Sequence, residues 1–374
     1  MGLIGRATAA GTARYAGRFA PRVATGHFRG GLGLTLSSIG IGTYLGEPTD
    51  AVDAGYRAAL IEAVRGGCNV LDTAISYRAQ RSELALGRAV ADLVAAGEAA
   101  RDELVIASKG GFIAYRLARP ADPAGYVYDQ FIATGVIEPT DLAGGIHCMA
   151  PNYLSQQITW SLRNLGLHTL DIYYIHNPET QLAFVDRATF YNRLQLAFGR
   201  LEEEVVGGRI GCYGVATWEG LRRPPVAPDY LSLELMLRLA AEVAGPNHHF
   251  RVVQLPINAA MLEGAFLRNQ PAGKSLRTAL DAARELGLTV IASASLMQGQ
   301  MVGRLPTALA QVFPALAGDV QRALQFTRSL PGVTTALVGT SRPEHARENL
   351  ALAGHPTEPE KAHRAARSWY IGKG

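Results

Sequence analysis

Four side chains with complementary proton chemistry stand at, or just past, the ends of three apolar runs. Asp72 lies in NVLDTA, Tyr77 follows it in the next loop, Lys109 lies in LVIASKGG, and His176 lies in LDIYYIHNP. Singly, each has an ordinary reading: Lys109 as a solvated rim lysine, Asp72 as a helix cap, Tyr77 as a packed loop aromatic, His176 as a hydrogen-bonded strand-end histidine. Together they fit proton delivery to a carbonyl oxygen while a hydride reaches the carbon. A free phenol, with a pKa of about 10, is too weak an acid for this near neutral pH. A neighbouring ammonium favours the phenolate and is expected to lower that value. A buried ammonium in turn needs a carboxylate partner. The resulting assignment makes Tyr77 the acid–base, Lys109 its tuner, Asp72 the anchor of Lys109, and His176 the group that orients the substrate oxygen.

Such a set must be carried by elements that bring three strand ends to one rim. Eight near-continuous apolar runs begin at Ser37, Asn69, Leu104, Leu170, Ile210, Arg251, Leu288 and Val333. This is the pattern of parallel strands buried on both faces. Helical segments intervene, for example AGYRAALIEAVRGG, SELALGRAVADLVAAG, SLRTALDAARELG and PEHARENLALAG, each ending on glycine. Most strand starts fall roughly 30 to 45 residues apart, so the chain reads as eight strand–helix units. Eight parallel units favour a closed TIM (β/α)8 barrel over an open doubly wound sheet, and no GxGxxG stands between a first strand and helix.

One connection is too long for a simple crossover: the third and fourth strands start about 65 residues apart. The excess, Tyr115 to about Pro151, carries Tyr115, Tyr126, Tyr128 and Phe131. It is expected to hang over the barrel mouth and cover the substrate, with Arg116 and Arg119 facing solvent or an acidic substrate. The segment from Gln298 to Pro314 is expected to shape the same pocket. Three regions follow: residues 1–31 as a basic flexible N-terminal segment, 32–354 as the barrel, and 355–374 as a partly helical C-terminal tail.

The 374 residues are 48% hydrophobic and 18% charged, with a net charge of +4. That balance fits a globular core and argues for neither nucleic-acid nor membrane binding. No acidic residue precedes Glu47, whereas Arg6, Arg14, Arg18, Arg22 and Arg29 do. A transit segment has this composition; a flexible basic tail is the reading adopted. Cys68, Cys148 and Cys212 form no CxxC pair, which suits a reducing cytoplasm and gives neither a disulfide framework nor a metal site. His248 and His249 are read as loop residues before a strand. Oligomeric state is not legible.

The motifs resemble those of the aldo-keto reductase family. LDTAISYRAQRSELALG is similar to the family signature with its catalytic Asp and Tyr, IASKGG to the strand ending in the catalytic Lys, and LDIYYIHNP to the strand ending in the catalytic His. The resemblance runs from about Leu32 to about Gly354. It implies a TIM barrel that binds NADPH, with NADH as the alternative, and interconverts a small-molecule carbonyl and alcohol. It implies cofactor contacts from Gly42, Thr43 and Tyr44 after the first strand, Thr217 after the fifth, Gln254 in the sixth, Ser293 and Leu296 at the seventh, and Gly339, Ser341, Arg342, His345 and Asn349 at the phosphate end. Four places depart from the family pattern, one of them the loop RAQRSE after Tyr77, which is longer than the usual form. Ala216-Thr217 replaces the Ser-Asn pair that grips the carboxamide, Ser293 replaces the aromatic that stacks on the nicotinamide, and Ser341 stands where a basic residue often meets the 2′-phosphate. These departures keep two alternatives open: a regulatory protein that binds a nicotinamide without turnover, and a lyase or isomerase that uses the tetrad without net redox.

Overall fold

The computed structural model describes residues 2–301, 303, 307–316 and 318–371. Its centre is a closed barrel of eight parallel strands, which we label β1 (Ile39–Gly42), β2 (Val70–Asp72), β3 (Val105–Gly110), β4 (Leu170–His176), β5 (Ile210–Ala216), β6 (Phe250–Pro256), β7 (Thr289–Ser293) and β8 (Thr335–Gly339). The strands pair in sequence order, and β8 closes onto β1. The (β/α)8 barrel expected from the sequence is therefore the fold.

Side chains alternate along a strand, so every second residue enters the barrel. The interior cluster contains Val70, Val105, Ala107, Ile172, Tyr174, Ala216, Val252, Ile291 and Leu337. Continuing each series by two residues toward the carboxyl end reaches Asp72 on β2, Lys109 on β3, His176 on β4, Gln254 on β6 and Ser293 on β7. The same period that fills the core thus turns polar groups inward at one rim. A one-residue slip in any strand would send its polar group to the helical shell.

The shell is built from α1 (Asp50–Arg65), α2 (Arg81–Ala95), α3 (Pro151–Leu165), α4 (Arg187–Val206), α5 (Leu233–Ala244), α6 (Ala279–Glu285), α7 (Asp319–Ser329) and α8 (Pro343–Leu350). Several begin on side-chain caps: Thr49 accepts from Val52 N, Asp186 from Thr189 N, Ser232 from Leu235 N and Thr278 from Asp281 N. Part of the expected helix SLRTALDAARELG differs. Ser275–Arg277 pairs with Gln270–Ala272 in a small hairpin, and the helix starts only at Ala279, after the Thr278 cap.

Residues 2–31 do not form a free tail. Ala9–Phe19 is a helix, and Phe28–Gly31 pairs with Leu34–Ser37 as a hairpin. Tyr15 is fully buried and donates to Val64 O at 2.5 Å and Cys68 O at 3.0 Å. Arg14 and Arg18, read from the sequence as parts of a basic leader, both hold Glu103 at 2.6–2.8 Å. Helical periodicity places Tyr15 and Phe19 on one apolar face, and that face is what docks. At the other end, the helix Pro359–Ile371 lays Trp369 against Phe326, with ring centres 5.3 Å apart. No helix among the described residues is long and apolar enough to cross a membrane.

The excursion after β3 also departs from expectation. Its aromatics turn on one another and on α3: Tyr126 meets Tyr115 at 5.4 Å, and Phe131 meets Tyr153 at 5.0 Å and Trp160 at 5.7 Å. With Ile113, Val127, Ile137 and Cys148 they make a separate small core. Of the aromatics that suggested a substrate cover, Tyr115, Tyr126 and Phe131 are consumed in packing, and Tyr128 is exposed.

Docking of the N-terminal helix is testable. Tyr15→Ala should cost about 3–5 kcal/mol in urea unfolding, as for other large buried aromatics. A change below about 0.5 kcal/mol, the range of a free surface position, would contradict the docked helix.

Candidate active site

Lys109 is 1% exposed, and its ammonium has two fixed partners. It donates to Asp72 Oδ1, and to Thr73 O at 2.8 Å. Asp72 Oδ2 accepts from Gln254 Nε2 at 2.8 Å. The carboxylate therefore ties β2 to β3 on one side and to β6 on the other. The ammonium lies 4.9 Å from the centre of the Tyr77 ring. The Tyr77 ring lies 5.5 Å from that of His176, edge to face, and 4.9 Å from that of Tyr44. All four sequence-derived catalytic candidates thus meet at one end of the barrel.

The electrostatics correct one expectation. Burial lowers the pKa of Lys109, and the charge of Asp72 acts in the opposite direction. Tyr77 is not lowered: burial, followed by the charge of Asp72, holds its phenol well above its ordinary value. The physical reason is first burial, which penalises the phenolate, and then the negative charge of Asp72 close by. His176 is pushed well below its ordinary value by burial and then by Lys109, so its imidazole is neutral.

Tyr77 is held by an unusual loop. Arg78, Ala79 and Gln80 follow it with φ of 50°, 54° and 71°. Three consecutive non-glycine residues in the left-handed region cost of order 1 kcal/mol each and need outside support. Arg78 gives that support: it donates to Glu47 O at 2.9 Å and Asp53 Oδ1 at 2.5 Å, and its guanidinium lies 5.2 Å from the ring centre of Tyr56. Leu117 N donates to Ala79 O at 2.8 Å. The long RAQRSE stretch is thereby clamped to α1.

A cavity of about 480 Å³ opens above these groups. On its wall stand Asp72, Tyr77 and His176, together with Gly42, Thr43, Tyr44, Thr217, Gln254, Ser293, Leu296, Gly339, His345 and Asn349 from the sequence-derived cofactor set. Lys109 lies beneath the wall. Among the described residues, Ser341 and Arg342 are not on it, and Arg342 is exposed at the start of α8. No described residue of the 115–151 excursion, Arg116 and Arg119 included, is on the wall either. Gln298 and Gly299 are; Val302 and residues 304–306 of the same segment lie outside the described residues.

The orphaned polar atoms of the wall suit a hydrogen-bonding ligand. Ser295 Oγ and Asn349 Oδ1 are buried on the cavity residues without a partner, as is His176 Nδ1. Unpaired buried polar atoms are costly, and a ligand in the cavity is the natural partner. Two expected contacts are otherwise engaged. The Gln254 amide nitrogen is on Asp72, and the Thr217 hydroxyl is on Glu179 at 2.6 Å.

Several residues of the site escaped the sequence reading. His147 is buried, accepts at Nδ1 from Gln181 Nε2 at 3.2 Å, and donates from Nε2 to His176 O at 2.7 Å. Gly111 (φ 130°) makes room for it, since a Cβ there would lie 2.6 Å from His147 Nε2. Nothing in the sequence marked that lone histidine. Glu348 had a signal: it follows His345 by three residues on α8, hence shares its face. Glu179 and Trp218, each a short step past a strand end, had the same positional signal as the tetrad.

The buried imidazole gives a pH prediction. The pKa of His147 is pushed down to about 4 by burial, against about 6.5 when unfolded. Between these values the unfolded chain binds the extra proton, so stability falls as pH drops from 6.5 to 4, by up to about 3 kcal/mol from this group. Urea unfolding at pH 7 and pH 4.5 should show a smaller loss in His147→Gln than in the parent. Equal losses would mean His147 is not held neutral.

Against this geometry stand the similarities to known proteins. A protein of Schizosaccharomyces pombe with the provisional name voltage-gated potassium channel subunit beta is 21% identical over 350 residues, 89% of each chain. An aldo/keto reductase of Klebsiella pneumoniae, solved with NADP and acetate, superposes with a TM-score of 0.60 at 20% identity, covering 92% of this chain and 96% of that one. The glycerol dehydrogenase of Gluconobacter oxydans gives 0.63 at 17% identity, covering 93% and 96%. Those structural likenesses show the fold. The model of the aldo/keto reductase family matches residues 38–224, half of the chain, and the chain belongs to that family.

Proposed function

We propose that the protein is a nicotinamide-dependent oxidoreductase that interconverts a small-molecule aldehyde or ketone and an alcohol, with NADPH as the cofactor and NADH as the alternative. The observation that carries this reading is the buried Asp72–Lys109 pair set 4.9 Å from the ring of a Tyr77 that faces a cavity. When bound, the reduced nicotinamide supplies the hydride to the carbonyl carbon. Tyr77 gives its phenolic proton to the carbonyl oxygen. The phenolate left behind is stabilised by the Lys109 ammonium and regains a proton from water. His176, neutral, donates a hydrogen bond to the same oxygen and holds it in line. A phenol kept protonated by burial is loaded for the reductive direction. Gly42, Thr43, Tyr44 and Ser293 would border the nicotinamide end, and Gly339, His345 and Asn349 the adenosine end. Ser341 and Arg342 would join them only by moving from the positions described above.

A second reading has its own support: the resemblance to a channel β subunit, and a Thr217 hydroxyl already spent within the protein. In that reading the site binds a dinucleotide and does not turn over.

Oxidation of NADPH or NADH with a panel of aldehydes, followed by loss of reduced-nicotinamide absorbance, separates the two. We expect turnover, and a fall of about a hundred- to ten-thousand-fold in Tyr77→Phe with the fold intact. Equal rates in both proteins would refute the role of Tyr77. Tight binding with no turnover on any substrate would favour the second reading.

A further inference from the structure

Glu179 is a buried carboxylate outside the tetrad with an uneven set of partners. It is 6% exposed and lies three residues past His176, in the turn Pro178–Ala183. One oxygen, Oε1, accepts from Thr217 Oγ1 at 2.6 Å, Trp218 N at 2.7 Å, Glu219 N at 2.9 Å and Gly220 N at 3.4 Å. The other, Oε2, is buried with no partner. Among the described residues no Lys or Arg pairs with it, and burial raises its pKa. A buried carboxylate without a cation is costly, and a loop of this size can be closed by cheaper neutral groups.

What the carboxylate holds is the cavity wall. Thr217 and Trp218 both line it, directly past β5. The Thr217 hydroxyl spends its one proton on Glu179 and also accepts from Gly220 N at 2.8 Å. It is therefore fixed toward the protein, and Trp218 is the residue of this turn left for a ligand. Two strands along the barrel, β7 offers Ser293, which has no ring.

We propose that Glu179 is a positioning residue for the nicotinamide end of the site: its Oε1 locks the Thr217–Gly220 turn across the ends of β4 and β5 and presents Trp218 to the cavity as an aromatic face for the cofactor. The proposal rests on the dinucleotide reading above and adds to it the residue that shapes this wall. The four donors converge on one oxygen, so the role needs an acceptor at that point and not a charge.

Of the chain's three tryptophans, Trp160 packs in the excursion core and Trp369 against Phe326, so Trp218 alone lines the cavity. Titration of the full-length protein with NADPH and with NADH, read by tryptophan emission and by calorimetry, tests the proposal. The parent should be quenched, and Trp218→Phe should lose most of that quench. Glu179→Ala should weaken binding about tenfold, as expected for losing hydrogen bonds to a buried charged acceptor, and lose the Trp218 quench. Glu179→Gln keeps an acceptor oxygen and should bind within about threefold of the parent. If Glu179→Ala does not fold, Thr217→Val, which removes one donor at constant volume, should weaken binding about threefold. Parent-like binding and quench in Glu179→Ala, or in Thr217→Val where that variant stands in, overturns the proposal. So does a Glu179→Gln protein as impaired as Glu179→Ala. A parent that binds neither dinucleotide overturns the functional reading itself, an outcome distinct from variants that behave alike on a parent that binds.

Discussion

An ammonium buried in the mouth of a barrel sets the terms for everything around it. Lys109 is carried inward by the same alternation that buries Val105 and Ala107, and it cannot stay charged there without compensation. Asp72 and Thr73 O supply it from β2, and Gln254 completes the carboxylate from β6. Three strands are thus cross-linked at the carboxyl rim by one charge pair. Burial, and then the charge of Asp72, hold the Tyr77 phenol well above its ordinary pKa. In the function proposed above, Tyr77 therefore acts as a proton donor with a cation beneath it to receive the resulting phenolate.

Around this pair the polar groups fall into two layers. Tyr77, His176 and the cavity residues face the space where a ligand would sit. Behind them, Arg78 clamps the left-handed turn after Tyr77, His147 backs His176, and Glu179 ties the end of β5 to the turn after β4. Each second-layer group is buried, and each touches a backbone segment whose neighbour faces the cavity. Precision in the front layer comes from these contacts, because strand ends and loops alone leave several rotamers open.

Much of this was legible in the sequence. The eight strands and their closure followed from repeated apolar runs. The tetrad followed from polar residues at the ends of those runs, because a two-residue period fixes which side chains enter the barrel. The excursion after the third strand misled, since aromatics such as Phe131 signal burial equally well over a ligand or against α3. Residues 1–31 misled because composition showed the arginines but not their partner: Glu103 is far away in sequence. Glu179 and His147 act through contacts between segments that only the closed barrel brings together. The tuning of Tyr77 departs from the sequence expectation because the phenol is itself buried, which its position in a loop does not reveal.

The most direct test of the account is the rate of a single hydride transfer. With NADPH bound in advance and a reactive aldehyde added in excess, Lys109→Met should slow the first turnover about a hundred- to ten-thousand-fold, while cofactor affinity stays within about threefold of the parent. A first turnover as fast as the parent's would mean that the Lys109 cation does not support proton delivery from Tyr77, and the account would fail.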